Sequence, residues 1–182
     1  GIECVALNTG WLGEKVASQW GPSFESAKTL DPFFAGNVSQ EIALCYSRED
    51  LDFGQGIETA GGIARALPML ETVFWLVAGD AFMPEFDFSA HDRNHFAHSG
   101  MLAHLWLVPN PAHNPSGDFG LTSQGLAIDA QQAEQLRVPC YTYSTLALLH
   151  QDLFHLPWCD IAQGNPQGVH AKLAPLLRKA MQ

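Results

Sequence analysis

One acidic residue stands out for its setting. Asp80 closes the run Val73-Phe74-Trp75-Leu76-Val77-Ala78-Gly79. An unbroken apolar run is what a strand buried on both faces of a parallel sheet shows. An acidic residue just past such a strand lies at the carboxyl end of the sheet, where open α/β folds bind their ligands. Gly79 would let a ligand approach the backbone closely. One carboxylate together with phosphate oxygens and waters is an ordinary way to hold Mg²⁺, so Asp80 suits a metal–nucleotide site. A turn or helix-capping aspartate fits the local pattern equally well.

Two further stretches have the composition of ligand contacts. In Glu58-Thr59-Ala60-Gly61-Gly62, two glycines at a helix start would expose amide donors to a phosphate or to the edge of a base, and would leave room for a flat ring. Thr59 acting simply as a helix cap explains the same residues. The stretch from Asn110 to Phe119 (NPAHNPSGDF) follows a strand and is dense in Asn, Pro and Gly. Such loops carry ligand contacts when a rigid scaffold positions them, and they also serve as plain connections. His91, His95 and His98 are spaced to share one helical face, but Asp92, Arg93 and Asn94 between them read as a solvated helix without an H-E-x-x-H carboxylate. No G-x-S-x-G elbow, Walker loop or G-x-G-x-x-G occurs.

The elements that must carry these residues alternate. Ile2–Leu7 reads as a strand, and Trp11–Trp20, with Leu12, Val16 and Trp20 four apart, as an amphipathic helix. Residues 21–40 read as a loop or insertion whose Phe24, Phe33 and Phe34 have no assignable role. Glu41–Tyr46 is a second strand, Gly61–Leu67 a helix stopped by Pro68, and Met101–Val108 and Cys140–Leu149 are later strands. Phe119–Leu121 and Ala127–Ile128 are shorter strand pieces around a turn, and the segment from Lys172 to Gln182 is helical. The pattern predicts a doubly wound α/β sheet with mixed edges.

Composition bounds the partners. The 182 residues include 9 Lys plus Arg against 19 Asp plus Glu, a net charge of −10. With 47% apolar and 15% charged residues the chain can fill a core, and disorder is excluded. So acidic a field repels polymeric nucleic acid, whereas a small phosphorylated ligand can still be held by a metal and backbone amides. Cys4, Cys45, Cys140 and Cys159 lie far apart in sequence without a C-x-x-C pair, the usage of reduced, buried thiols in a cytoplasm. No apolar run approaches the roughly 20 residues of a membrane span. A strand at the first residues and a helix at the last read as a fragment of a longer chain.

Taken in order, several stretches resemble the sugar-phosphate nucleotidyltransferase family. They are Asn8-Thr9-Gly10-Trp11-Leu12-Gly13, Tyr46-Ser47-Arg48-Glu49, Glu58-Thr59-Ala60-Gly61-Gly62-Ile63 with Ala66-Leu67-Pro68, Val77-Ala78-Gly79-Asp80, the Asn110–Phe119 loop, and Lys172 to Arg178. The resemblance is strongest to N-acetylmuramate 1-phosphate uridylyltransferases and to mannose-1-phosphate guanylyltransferase-like proteins. It implies an α/β, Rossmann-like and GT-A-like fold with a mixed, mostly parallel sheet flanked by helices, and residues 1–182 as a single nucleotidyltransferase domain. It further implies an enzyme of nucleotide-sugar synthesis that joins a nucleoside triphosphate, UTP by the nearest branch, to a sugar 1-phosphate such as N-acetylmuramate 1-phosphate, releasing pyrophosphate. In that scheme Asp80 is the catalytic Mg²⁺ ligand, with Gly79 against the substrate. Glu58, Thr59, Ala60, Gly61 and Gly62 frame the nucleobase. Asn110, Gly117, Asp118 and Ser144, on the strand from Tyr141 to Thr145, face the sugar, and Lys172 completes the substrate contacts.

Three departures accompany the match. The family's glycine-rich loop with its Arg and Pro-Lys pair would precede Gly1, and a second metal-binding Asp would follow Gln182. The family's Asn before Gly-Asp is Ala78, and its small Gly-Ile step is Thr145-Leu146. These departures motivate an alternative, a catalytically degenerate nucleotide or sugar-phosphate binding module. A glycosyltransferase on a related fold is weaker, because no Asp-x-Asp ends the Asp80 strand. Whether uracil or guanine is taken stays open at this level, as does oligomeric state.

Overall fold

The computed structural model describes residues 2–25 and 41–181. Residues 26–40 lie outside them, as do the side chains of Phe24, Phe33 and Phe34. The chain divides into two compact units, Gly1–Leu70 with Ile161–Lys172, and Glu71–Asp160 with Leu173–Gln182.

In the first unit β1 (Cys4–Asn8) pairs in parallel with β3 (Glu41–Ser47), with Asn8 opposite Ser47. The other edge of β3 takes the short antiparallel β2 (Ser23–Glu25), in a stretch expected to be loop. Parallel neighbours need a crossover, and α1 (Gly13–Trp20) lies on it. Its Val16 is half-buried while Leu12 and Trp20 are exposed, so the predicted apolar stripe is only partly used. A short α2 (Glu49–Phe53) follows, unforeseen in the sequence. Then comes α3 (Glu58–Ala66), running into a 3-10 turn over Leu67–Met69.

Helix α3 begins three residues before the predicted start, because Ile57, fully buried, is its cap residue. The two glycines therefore lie inside the helix on its buried face. A Cβ at Gly61 would stand 2.5 Å from the Val169 carbonyl oxygen, and one at Gly62 would run into the side chains of Asn8 and Glu49. Only glycine lets these backbones approach so closely.

The second unit is organised on β8 (Cys140–His150), an eleven-residue strand. It pairs antiparallel with β4 (Val73–Val77), with β5 (Ala103–Val108) and, at its start, with β6 (Phe119–Leu121). A hairpin joins β6 to β7 (Ala127–Asp129). The prediction of a mostly parallel sheet is thereby corrected. Among the described residues only β1 and β3 pair in parallel, and the apolar run 73–77 is an antiparallel strand, buried at Val73 and Phe74 and opening to solvent at Val77. An apolar run carries no pairing direction, and here it forms an antiparallel strand that is buried at its start and half-buried to exposed toward its end.

That cluster sets Trp75 against Trp106 at 5.2 Å between ring centroids, with Phe86 and Phe88 edge-on to Trp75. Val73, Phe96 and Leu148 form the buried core beneath it. Helix α4 (Ala90–Ala97), which carries the histidines, is capped by Ser89, whose Oγ accepts from the amides of His91 and Asp92. Asp129 caps α5 (Ala130–Leu136) in the same way. Its carboxylate also meets the Arg178 guanidinium of α6 (Leu173–Ala180) at 2.7 Å, while Leu173, Leu176 and Leu177 of that helix are buried.

Two outcomes are expected from this packing. A Cβ at Gly120 would collide with Ala133 of α5, so Gly120→Ala should lower unfolding free energy in urea by about 1–3 kcal/mol. His104, ring against ring with Trp106 at 4.4 Å, has its pKa held below the usual 6.5, by burial first and by His95 second, against the opposing pull of Asp92. The unfolded chain therefore takes up this proton at higher pH than the folded one, and stability falls as pH drops through the unfolded value. His104→Gln should flatten the dependence of Tm on pH between about pH 7 and pH 5.

Candidate functional site

In the second unit, strand register gathers three of the predicted stretches at one end of a sheet. β4 runs out at Val77 opposite Leu146, and β5 runs out at Val108 opposite Thr142. Asp80 follows the first end, Asn110 follows the second, and Ser144 lies on β8 between the two register positions. Asp80 is exposed in the turn after β4 and caps no helix, since the next helix is capped by Ser89. Its carboxylate makes no hydrogen bond or ion pair with the described residues and is free to take a ligand. Gly79 has nothing within 4 Å of where a Cβ would stand, so the space beside Asp80 is open.

The loop from Asn110 to Asp118 is a hydrogen-bonded staple rather than a plain turn. Asn110 Nδ2 donates to the carbonyls of Pro115 and Cys140, and its Oδ1 accepts from Thr142 Oγ1 at 3.0 Å. Asn114 Nδ2 donates to Asp118 Oδ1 and to Thr142 Oγ1. Asp118 Oδ2 accepts the Tyr143 amide at 2.8 Å, and the Asp118 amide donates to the Tyr141 carbonyl. Gly117, at φ 68°, leaves no space for a side chain, since a Cβ would stand 2.8 Å from both Asn110 Oδ1 and the Tyr141 nitrogen. Both oxygens of Asp118 thus tie the loop to β8. Asn114, which the sequence offered only as one loop polar among several, is at the centre of the network.

Ser144 belongs to a bulge. Between the pairs Leu105–Ala147 and Leu107–Tyr143, β5 contributes one residue and β8 contributes three. Ser144 Oγ donates to the Trp106 carbonyl at 2.8 Å, and the exposed Thr145 stands at φ 64°. A β-branched residue in the left-handed region is strained by about 1–3 kcal/mol. The strain falls on the position where the family pattern has a small residue. Bulges re-aim side chains next to binding sites, and this one could not be read from a strand pattern.

The first unit holds the remaining stretches. Glu58 and Thr59 are exposed at the start of α3, Glu58 at φ 65°, whereas Ala60, Gly61 and Gly62 are buried. The expectation that the glycines offer free amides is corrected, because Gly61 and Ala60 donate their N–H groups to the Ala171 carbonyl at 3.1 and 2.9 Å. Nor is Thr59 the cap, which is Ile57 without a side-chain bond. Asn165, 1% exposed, donates to the Gly61 and Val169 carbonyls and accepts from the Val169 amide, so residues 165–171 clasp the helix. Lys172, next in the chain, is exposed.

Beside the helix start, at the carboxyl ends of β1 and β3, lies a polar group whose Thr9, Arg48 and Glu49 stand in the sequence only as motif residues. Glu49, 4% exposed, accepts the Ile57 amide on Oε2 at 2.9 Å. Asp50 is held below the usual carboxylate range by Arg48, first through its hydrogen bond at 3.0 Å, while Thr9 donates to the same oxygen. Asp50 raises the pKa of Arg48 in turn.

Among the described residues no three His, Cys, Asp or Glu side chains gather to hold a metal. His91 and His95 stack at 6.5 Å, and the His98 ring turns to the Asn94 carbonyl. One open carboxylate still fits a Mg²⁺ whose other ligands are phosphate oxygens and waters, the arrangement that this ion prefers. The four cysteines are free, but only Cys159 is buried, Cys4 is exposed, and Cys4 and Cys45 meet across the strands at 3.4 Å between sulfurs. No described helix is long and apolar enough to cross a membrane.

The chain belongs to the sugar-phosphate nucleotidyltransferase family. The similarity that establishes this is to the N-acetylmuramate alpha-1-phosphate uridylyltransferase of Neisseria meningitidis serogroup B (strain ATCC BAA-335 / MC58). The two are 31% identical over 183 aligned residues, spanning 100% of this chain and 67% of that protein. No family model matches the chain.

The staple yields a direct test of what Asp118 does. Asp118→Ala removes the acceptor of two hydrogen bonds at a half-buried site and should lower unfolding free energy by about 2–3 kcal/mol in urea. Backbone amide exchange at Tyr143 should quicken in parallel.

Proposed function

We propose that the protein transfers a uridylyl group from UTP to a sugar 1-phosphate with release of pyrophosphate, and that N-acetylmuramate 1-phosphate is the sugar substrate. The observation that carries this assignment is the register of β8, which brings Asp80, the stapled Asn110–Asp118 loop and Ser144 to one sheet end in a chain of this family. The Rossmann-like nucleotidyltransferase architecture belongs to the same proposal, supported by the family and by the parallel β1–β3 pair.

In this scheme a phosphate oxygen of the sugar 1-phosphate attacks the α-phosphorus of UTP in line. A new P–O bond forms as the bond to pyrophosphate breaks, so no nucleophile from the protein is needed. Positioning and electrostatics supply the rate. Mg²⁺ held by Asp80 would offset charge on the phosphates. The loop tied down by the Asn110, Asn114 and Asp118 side chains lies against the sugar along Asn110 to Asp118, Ser144 and the β8 bulge lie at the same end, and Gly79 leaves the approach open. The first turn of α3, Glu58 to Gly62, takes the nucleobase. Its buried glycines set the helix position, and its exposed members Glu58 and Thr59 meet the ring. Lys172 contributes a positive charge for phosphate.

Asp80→Ala in the full gene product should reduce Mg²⁺-dependent pyrophosphate release from UTP and N-acetylmuramate 1-phosphate by about 10²-fold or more. Unchanged turnover would remove Asp80 from the metal site. Tight UTP binding by the wild-type protein without turnover, under saturating sugar phosphate and Mg²⁺, would favour a binding module. The strained Thr145 is the specific observation that keeps this second reading in view.

A further inference from the structure

Glu49 is the one charged residue that is buried among the described residues. A buried carboxylate is costly unless its hydrogen-bonding capacity is used. One oxygen, Oε2, accepts the Ile57 amide at 2.9 Å, at the residue that caps α3. The other, Oε1, is buried with no hydrogen-bond partner among the described residues. It lies 2.6 Å from the point where a Cβ of Gly62 would stand, and Asn8 Nδ2 crowds the same point. The carboxylate therefore spans the joint between β3 and α3, bonding the entry to the helix with one oxygen and filling with the other the space that a side chain on its fifth residue would need. Around the same turn, Asn165 and the Ala171 carbonyl fix the Gly61 carbonyl and the Ala60 and Gly61 amides. With the glycine amide at 61 already used, the position of the first turn decides where Glu58 and Thr59 stand.

We infer that Glu49 is a positioning residue for nucleotide recognition: its carboxylate, bonded to the Ile57 amide and filling the space beside Gly62, sets the place of the α3 first turn. The inference rests on the assignment of that turn to the nucleobase. What matters is the reach of the acceptor, not the charge, because Oε2 meets a neutral amide and no cation lies against either oxygen among the described residues.

Two variants separate reach from charge. Glu49→Asp keeps the charge and withdraws the acceptor by one methylene. Glu49→Gln keeps the reach and an acceptor oxygen. Steady-state kinetics of the full gene product should show Glu49→Asp raising KM for UTP about tenfold, with KM for the sugar 1-phosphate and kcat changed far less. Glu49→Gln should restore the KM for UTP to within about threefold of wild type. The reverse order, a larger loss in Glu49→Gln than in Glu49→Asp, would overturn the inference in favour of a charge acting on the ligand. Equal movement of both KM values and kcat in step with Tm would overturn it in favour of plain stability. Hydrogen exchange at the Ile57 and Gly62 amides supplies an arm independent of substrate. Faster exchange in Glu49→Asp supports the anchor, and unchanged exchange overturns it. Failure of the wild-type protein to bind UTP by calorimetry would instead overturn the nucleobase assignment, and the role of Glu49 in nucleotide recognition with it, while the exchange arm still reports on the joint.

Discussion

The second unit depends on the obligation of a buried strand to pair its backbone. Leu146, Ala147, Leu148 and Leu149 of β8 are essentially without solvent contact, so every N–H and C=O along them needs a protein partner. β4 and β5 meet that need along the carboxyl part of the strand, and β6 takes its first residues. Once these pairings are set, the ends of β4 and β5 have no choice of place. Asp80 and Asn110 are delivered to the same sheet end because their strands stop against neighbouring positions of β8. The polar ends of β4 and β5 are thus positioned by buried apolar residues, with the leucines of β8 fixing register and register fixing where the two strands stop.

Where the buried stretch ends, polar bonding takes over. The Asn110–Asp118 loop is held by side-chain bonds to residues 140–143, the part of β8 that is only half-buried. Such a network is worth little per bond in net stability, but it selects one conformation among the many open to a loop rich in glycine and proline. The first unit uses the same division. Close backbone packing at Gly61 and Gly62 brings α3 against Asn8, Glu49 and Val169, and the polar groups around the joint then lock its angle. In both units glycine makes the approach possible and a carboxylate fixes it.

Much of the element order was legible in the sequence. Strands at 4–8, 41–47, 73–77, 103–108, 119–121 and 140–150 all lie where apolar runs of strand length fall between turn residues. Helices α2 and α5 were not, because five and seven residues give too few turns for a period to show. The apolar run at 73–77 predicted a strand whose burial holds only at Val73 and Phe74, and it predicted the pairing direction wrongly, since hydrophobicity carries no record of which way a neighbour runs. The candidate stretches were picked out in order through family resemblance, but their internal bonding was not. Asp118, a substrate contact by the resemblance, has both its oxygens bonded to Asn114 and Tyr143, and Glu49, present in the sequence only as the end of the Tyr46–Glu49 motif, is buried.

The sequence by itself determined the family, the alternation of strands and helices, and the residue types available at each strand end, because these are local or collinear properties. Tertiary structure alone decided the antiparallel register of β8, the bulge that strains Thr145, the occupation of the α3 amides by Ala171, and the burial of Glu49. Each of these depends on a partner far along the chain, such as Val77 with Leu146 or Gly61 with Ala171, and no local pattern records which distant backbone will arrive to complete a hydrogen bond.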